Sequence, residues 1–115
     1  MAKYEKRLRG NFSELLSIIE NGIFKGSVSA SIEDGSDYSE NGVRCAVRVF
    51  ERYSMFGGNR VSLNVTMLGS GDDLFVSAIT SGGSKAVFFK INTLGEESFL
   101  SRFAELVEGY RYTPS

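Results

Sequence analysis

Three arginines, Arg44, Arg48 and Arg52, recur at intervals of four in a segment of alternating side chains, which sets their guanidinium groups on one strand face with Ala46 and Phe50 between them. A row of planar cations with an aromatic ring among them suits phosphates or single-stranded nucleic acid, through charge and stacking. The plainer reading is a solvated outer face whose arginines pair with acidic neighbours. Charge favours the plainer reading, because 13 Lys and Arg stand against 14 Asp and Glu for a formal net charge of -1. Nucleic acid is therefore not the expected partner. Four carboxylates, Glu33, Asp34, Asp37 and Glu40, gather in a stretch rich in turn formers and could hold a hard cation. Their order departs from the calcium-loop pattern D-x-[DN]-x-[DN]-G, and a soluble loop over Asp34 to Gly42 accounts for them. Thr80 to Lys85 has the small residues and lysine of a phosphate loop, yet it lacks the G-x-x-x-x-G-K-[ST] spacing and leads into a predicted strand, so it reads as a hairpin turn.

The remaining vocabulary of catalysis is sparse. The chain has no histidine, no tryptophan and one cysteine, which removes Ser-His and Cys-His nucleophile pairs, histidine acid/base work and most zinc sites. Cys45 lies among Val43, Val47 and Val49, where burial would leave its thiol inert. The expectation is a protein that is not an enzyme and binds no cofactor or metal. A lone thiol fits a reducing compartment, the opening residues lack the apolar run of a secretory signal, and no apolar stretch reaches the length of a membrane span. A cytoplasmic protein with no membrane role is expected.

The elements that must position these groups fit one α+β domain over residues 1–115, with Arg111 to Ser115 a frayed tail. Ala2 to Arg9 alternates Tyr4, Lys6 and Leu8 against charged residues, as a short edge strand does, and it could pair with either neighbour. Asn11 and Glu14 are spaced as a capping box for a helix that carries Phe12, Leu15, Leu16 and Ile19 and stops near Asn21-Gly22. Strands are predicted over Ser27 to Glu33, Val43 to Tyr53, Arg60 to Met67, Leu74 to Thr80 and Lys85 to Ile91. Short glycine-bearing connections make them an antiparallel meander. Thr93 and Glu96 then open a second helix with Phe99, Phe103, Leu106, Val107 and Tyr110 on one stripe. The result is an antiparallel sheet of five to six strands in the order strand, helix, five strands, helix. That order is similar to a shortened helix-grip fold of the START and Bet v 1-like kind; a sandwich with both helices on one sheet face is the alternative.

The blocks GVRCAVRVFERYS (42–54), GGNRVSLNVT (57–66) and SAITSGGSKAVFFKINTLGEE (77–97), with the opening KYEKRLRGNF, resemble a family of short Firmicutes proteins known only as a domain of unknown function. The resemblance implies a bacterial, single-domain protein and carries no activity, ligand or site residue.

Two surfaces stand out as sites. The last strands are apolar on both sides, so one apolar face needs a cover, and Phe50, Phe75, Ile79 and Phe88 are the expected contacts of a homodimer. If the C-terminal helix instead leaves space above the sheet, Val61, Leu63, Val65, Phe99 and Phe103 would line a pocket for a small apolar ligand. Self-association leads, the ligand carrier is second, and weak anion binding through Arg44, Arg48 and Arg52 is third.

Overall fold

The structure, a computed structural model, describes residues 2–25, 30–53, 60–82 and 89–113. Alternation in Lys3–Arg9 makes strand β1, whose charged residues are exposed while Tyr4, Lys6 and Leu8 are half-buried. Asn11 then caps helix α1 (Phe12–Lys25), its Oδ1 accepting from the Glu14 amide at 2.9 Å. Phe12, Leu15, Ile19 and Ile23 form the buried stripe of α1. The helix does not stop at Asn21-Gly22 but runs on to Lys25. Gly22 serves another purpose: a Cβ there would lie 2.3 Å from Leu106 Cδ2, so the missing side chain is what lets the second helix approach.

Four strands follow as a meander, β2 (Ser31–Glu40), β3 (Val43–Tyr53), β4 (Arg60–Ser70) and β5 (Asp73–Gly82). The acidic stretch expected to be a loop is β2 itself, paired with β3 from Ser31↔Glu51 to Glu40↔Val43. Its turn is only Asn41-Gly42, with φ of 52° and 80°, the two left-handed residues of a two-residue hairpin. Sequence composition suggests a loop because the strand is polar apart from Ile32 and Tyr38, as an edge strand can be. The sheet order is β1-β5-β4-β3-β2, all antiparallel, which places β1 beside β5 at one edge and β2 at the other.

Helix α2 spans Phe89–Gly109, starting four residues before Thr93, and residues 89–91 of the expected last strand belong to it. The rest of that strand, 85–88, lies outside the described residues. On α2, Phe99, Phe103 and Val107 are buried and Leu106 half-buried, and Tyr110, one residue past its end, is half-buried as well, as their spacing predicts. Both helices pack on one face of the sheet and on each other, the two-layer arrangement expected as the alternative to a helix grip. The Tyr110 hydroxyl ties their ends together, accepting from the Asn11 amide at 3.0 Å and donating to Glu14 Oε1 at 2.7 Å. The core between the layers comprises these stripes with Ala46 and Phe50 of β3, Val61, Leu63, Val65 and Met67 of β4, and Leu74, Val76 and Ala78 of β5. Among the described residues no helix is long and apolar enough to cross a membrane.

Candidate functional site

Which face of each strand meets the helices follows from pairing, because paired residues share a face. The apolar side of β4 is covered, and β3 presents Phe50 opposite Leu63 and Ala46 opposite Met67. That assignment reverses the expectation for β3. The arginine face is the covered one, and Val43, Cys45, Val47 and Val49 are on the open one. The arginines reach out along the sheet beneath the helix layer and end on the protein's own groups. Arg44 stacks over the Phe12 ring at 4.2 Å and donates to Ser13 Oγ at 2.9 Å. Arg48 Nε donates to Glu20 Oε2 at 2.8 Å, and its Nη2 pairs with Asp37 at 3.0 Å. The Glu20 hydrogen bond holds the Arg48 pKa above its ordinary value, with burial opposing and Asp37 adding to it. Arg52 lies over the Phe99 ring at 4.7 Å, where burial pushes its pKa down. The strip expected as an anion contact therefore closes the rim of the core.

The other expected sites are redistributed by the same geometry. Phe50 is fully buried beneath the helices and shares no face with Phe75 and Ile79, because its partner Leu63 points into the core. Phe88 lies outside the described residues. Val61, Leu63, Val65, Phe99 and Phe103, expected around a ligand, are each 0–1% exposed and packed in the core. The carboxylates of β2 separate: by alternation Asp37 points to the helix side, where it meets Arg48, while Asp34 and Glu40 point to the open side. Among the described residues no cluster of three or more His, Cys, Asp or Glu is placed to hold a metal ion.

What remains is the open face of the sheet. Its pairing gives four rows running from β2 to β1. One is Asp34, Val49, Asn64, Ile79 and Lys3; the next is Ser36, Val47, Thr66, Ser77 and Glu5. The third is Tyr38, Cys45, Leu68, Phe75 and Arg7, and the fourth is Glu40, Val43, Ser70, Asp73 and Arg9. Apart from Asp73, the inner strands carry apolar or neutral side chains in these rows, and large ones stand out: Val43 is 43% exposed, Leu68 41% and Ile79 39%. Val43, Leu68 and Phe75 also border a shallow depression of about 230 Å³ near the β4–β5 turn. Phe75 and Ile79 are where the sequence predicts them. Val43, Val47, Val49 and Leu68 are the residues it misses, since alternation alone gives two faces without saying which one is covered.

The edges of this face carry opposite charge. Open-side residues of β2 include Asp34 and Glu40, and those of β1 include Lys3, Arg7 and Arg9 with Glu5 between them. Glu5 is held by the Ser77 hydroxyl, which donates to it at 2.9 Å. Residues 1–111 match a family of unknown function, DUF6054. No curated protein matches the chain.

Proposed function

We propose that this chain, which belongs to the DUF6054 family of unknown function, is a non-enzymatic assembly module that pairs with a second copy of itself through the open face of its sheet. The observation that carries this reading is the asymmetry of the two faces. Both helices serve one side, while the other leaves Val43 and Leu68 about two-fifths exposed in one patch with Cys45, Val47, Val49 and Phe75, and Ile79 equally exposed beyond Asn64 and Ser77. A monomer exposing such a contiguous patch gains by covering it. Five strands about 4.8 Å apart and about ten residues long offer a face of roughly 24 by 33 Å, on the scale of the roughly 800 Å² per partner that specific interfaces bury. A bacterial cytoplasm, as the resemblance to Firmicutes proteins and the lone thiol suggest, is the proposed setting.

Light scattering on the eluting protein tests the reading. The wild type is expected to run as a dimer, and Leu68→Glu with Ile79→Glu as a folded monomer with an unchanged far-ultraviolet spectrum. Both side chains are already partly solvated, so the charges are tolerated in the monomer. A monomeric wild type, or a double variant that stays dimeric, overturns it.

A further inference from the structure

The charges at the rim say how the second copy must sit. Self-association through the open face is the premise, and a twofold axis relating two stacked sheets must lie in the plane between them. If the axis runs across the strands, each edge faces its own copy, acid on acid and base on base. If it runs along the strands, through β4, the β2 edge of one copy faces the β1 edge of the other. The rows then end in complementary pairs: Asp34 meets Lys3 of the second copy, and Glu40, which accepts from the Tyr38 hydroxyl of its own strand at 2.7 Å, meets Arg9, which lies 3.5 Å from Asp72 of its own chain. In the remaining row Ser36 faces Glu5. Across the middle, Val49 meets Ile79 and Leu68 meets its own copy on the axis.

We infer that the protein forms an aligned face-to-face sandwich of two sheets, related by a twofold axis parallel to the strands and selected by the acidic β2 edge lying over the basic β1 edge. Aligned sheets stack with their strands about 30° apart, which displaces the edges by about 5 Å, within the reach of lysine and arginine side chains. Pairing edge to edge is disfavoured on the same charges. An antiparallel β2–β2 contact would bring together two strands that each hold Glu33, Asp34, Asp37 and Glu40, and the register shift between Ile32 and Asp34 interrupts the edge.

A charge-swap experiment tests this arrangement in the full chain. One variant carries Lys3→Glu and Arg9→Glu, the other Asp34→Lys and Glu40→Lys, and sedimentation equilibrium measures each alone and the two mixed. Each variant alone places like charges over like and is expected to associate about tenfold more weakly than wild type, or worse. The mixture is expected to recover wild-type affinity as a heterodimer, which also shows that both variants are folded. Variants that associate as tightly alone as the wild type overturn the strand-parallel axis and leave self-association standing, as does a mixture that fails to recover. A wild type that is monomeric overturns self-association itself.

Discussion

Arg48 shows how a residue that reads as a binding group becomes a structural one. Its side chain is only 13% exposed and its guanidinium joins Glu20 of α1 to Asp37 of β2 through β3, so it clamps a polar edge strand to the helix layer. Arg48→Met is expected to cost about 1.5–3 kcal/mol, the range for hydrogen bonds to charged groups. Part of that loss should return in the Arg48→Met, Glu20→Met double variant, because Glu20 is no longer left half-buried without its cation. Urea midpoints of the single and double variants check this, and a double variant no more stable than the single one counts against the clamp. Tyr4 makes a second residue-scale statement. Burial first, then its hydrogen bond to Glu108 and the charge of that carboxylate, push its pKa from 10.0 up to about 12. The folded state holds this proton more tightly than the unfolded chain. Its contribution to stability is therefore complete below pH 10 and fades as pH rises towards 12. A spectrophotometric phenol titration should lose its step near pH 12 in Tyr4→Phe. Glu108 is affected oppositely, since Lys6 and then Tyr4 hold its carboxyl below the ordinary 4.5, a contribution present above that pH and lost in acid.

Among the elements, α1 is the one whose glycine misleads. Asn21-Gly22 has the composition of a helix end, and only the neighbouring helix explains why the chain continues through it. Gly22→Val places branched carbon where the Leu106 side chain now lies, and is expected to destabilise by about 1–3 kcal/mol through overpacking. Asn21→Val, one residue away and exposed, is the control and should change stability by no more than about 0.5 kcal/mol. Denaturant midpoints with unchanged slopes separate the two. The β2 strand misleads in the opposite direction. Its apolar content is so low that only the Asn41-Gly42 dipeptide marks it as half of a hairpin. That signal was present in the sequence and outweighs composition, because both residues adopt positive φ in a turn whose twist matches the strands it joins.

For the molecule as a whole, the association experiments are the decisive ones, because they ask what covers a surface that the fold itself leaves open. Much was legible in advance from local physics. Alternation in Val43 to Tyr53 and Arg60 to Met67, the Asn11 cap and the Phe99, Phe103 and Val107 stripe each depend on residues close in the chain, and they determined an α+β domain with an antiparallel sheet. The family resemblance likewise depended on sequence alone, and residues 1–111 match a family of unknown function. Tertiary structure decided the rest. A strand that alternates valine with arginine has two workable faces, and a register slip of one residue would exchange them. The choice was made at a distance, by Phe50 pairing with Leu63 and Ala46 with Met67 beneath two helices that need an apolar bed. Arg44, Arg48 and Arg52 were thereby turned inward to the rim of the core, and Val43, Val47 and Val49 outward onto the open face, because burial is settled by the neighbour across the sheet and not by the residue next in the chain.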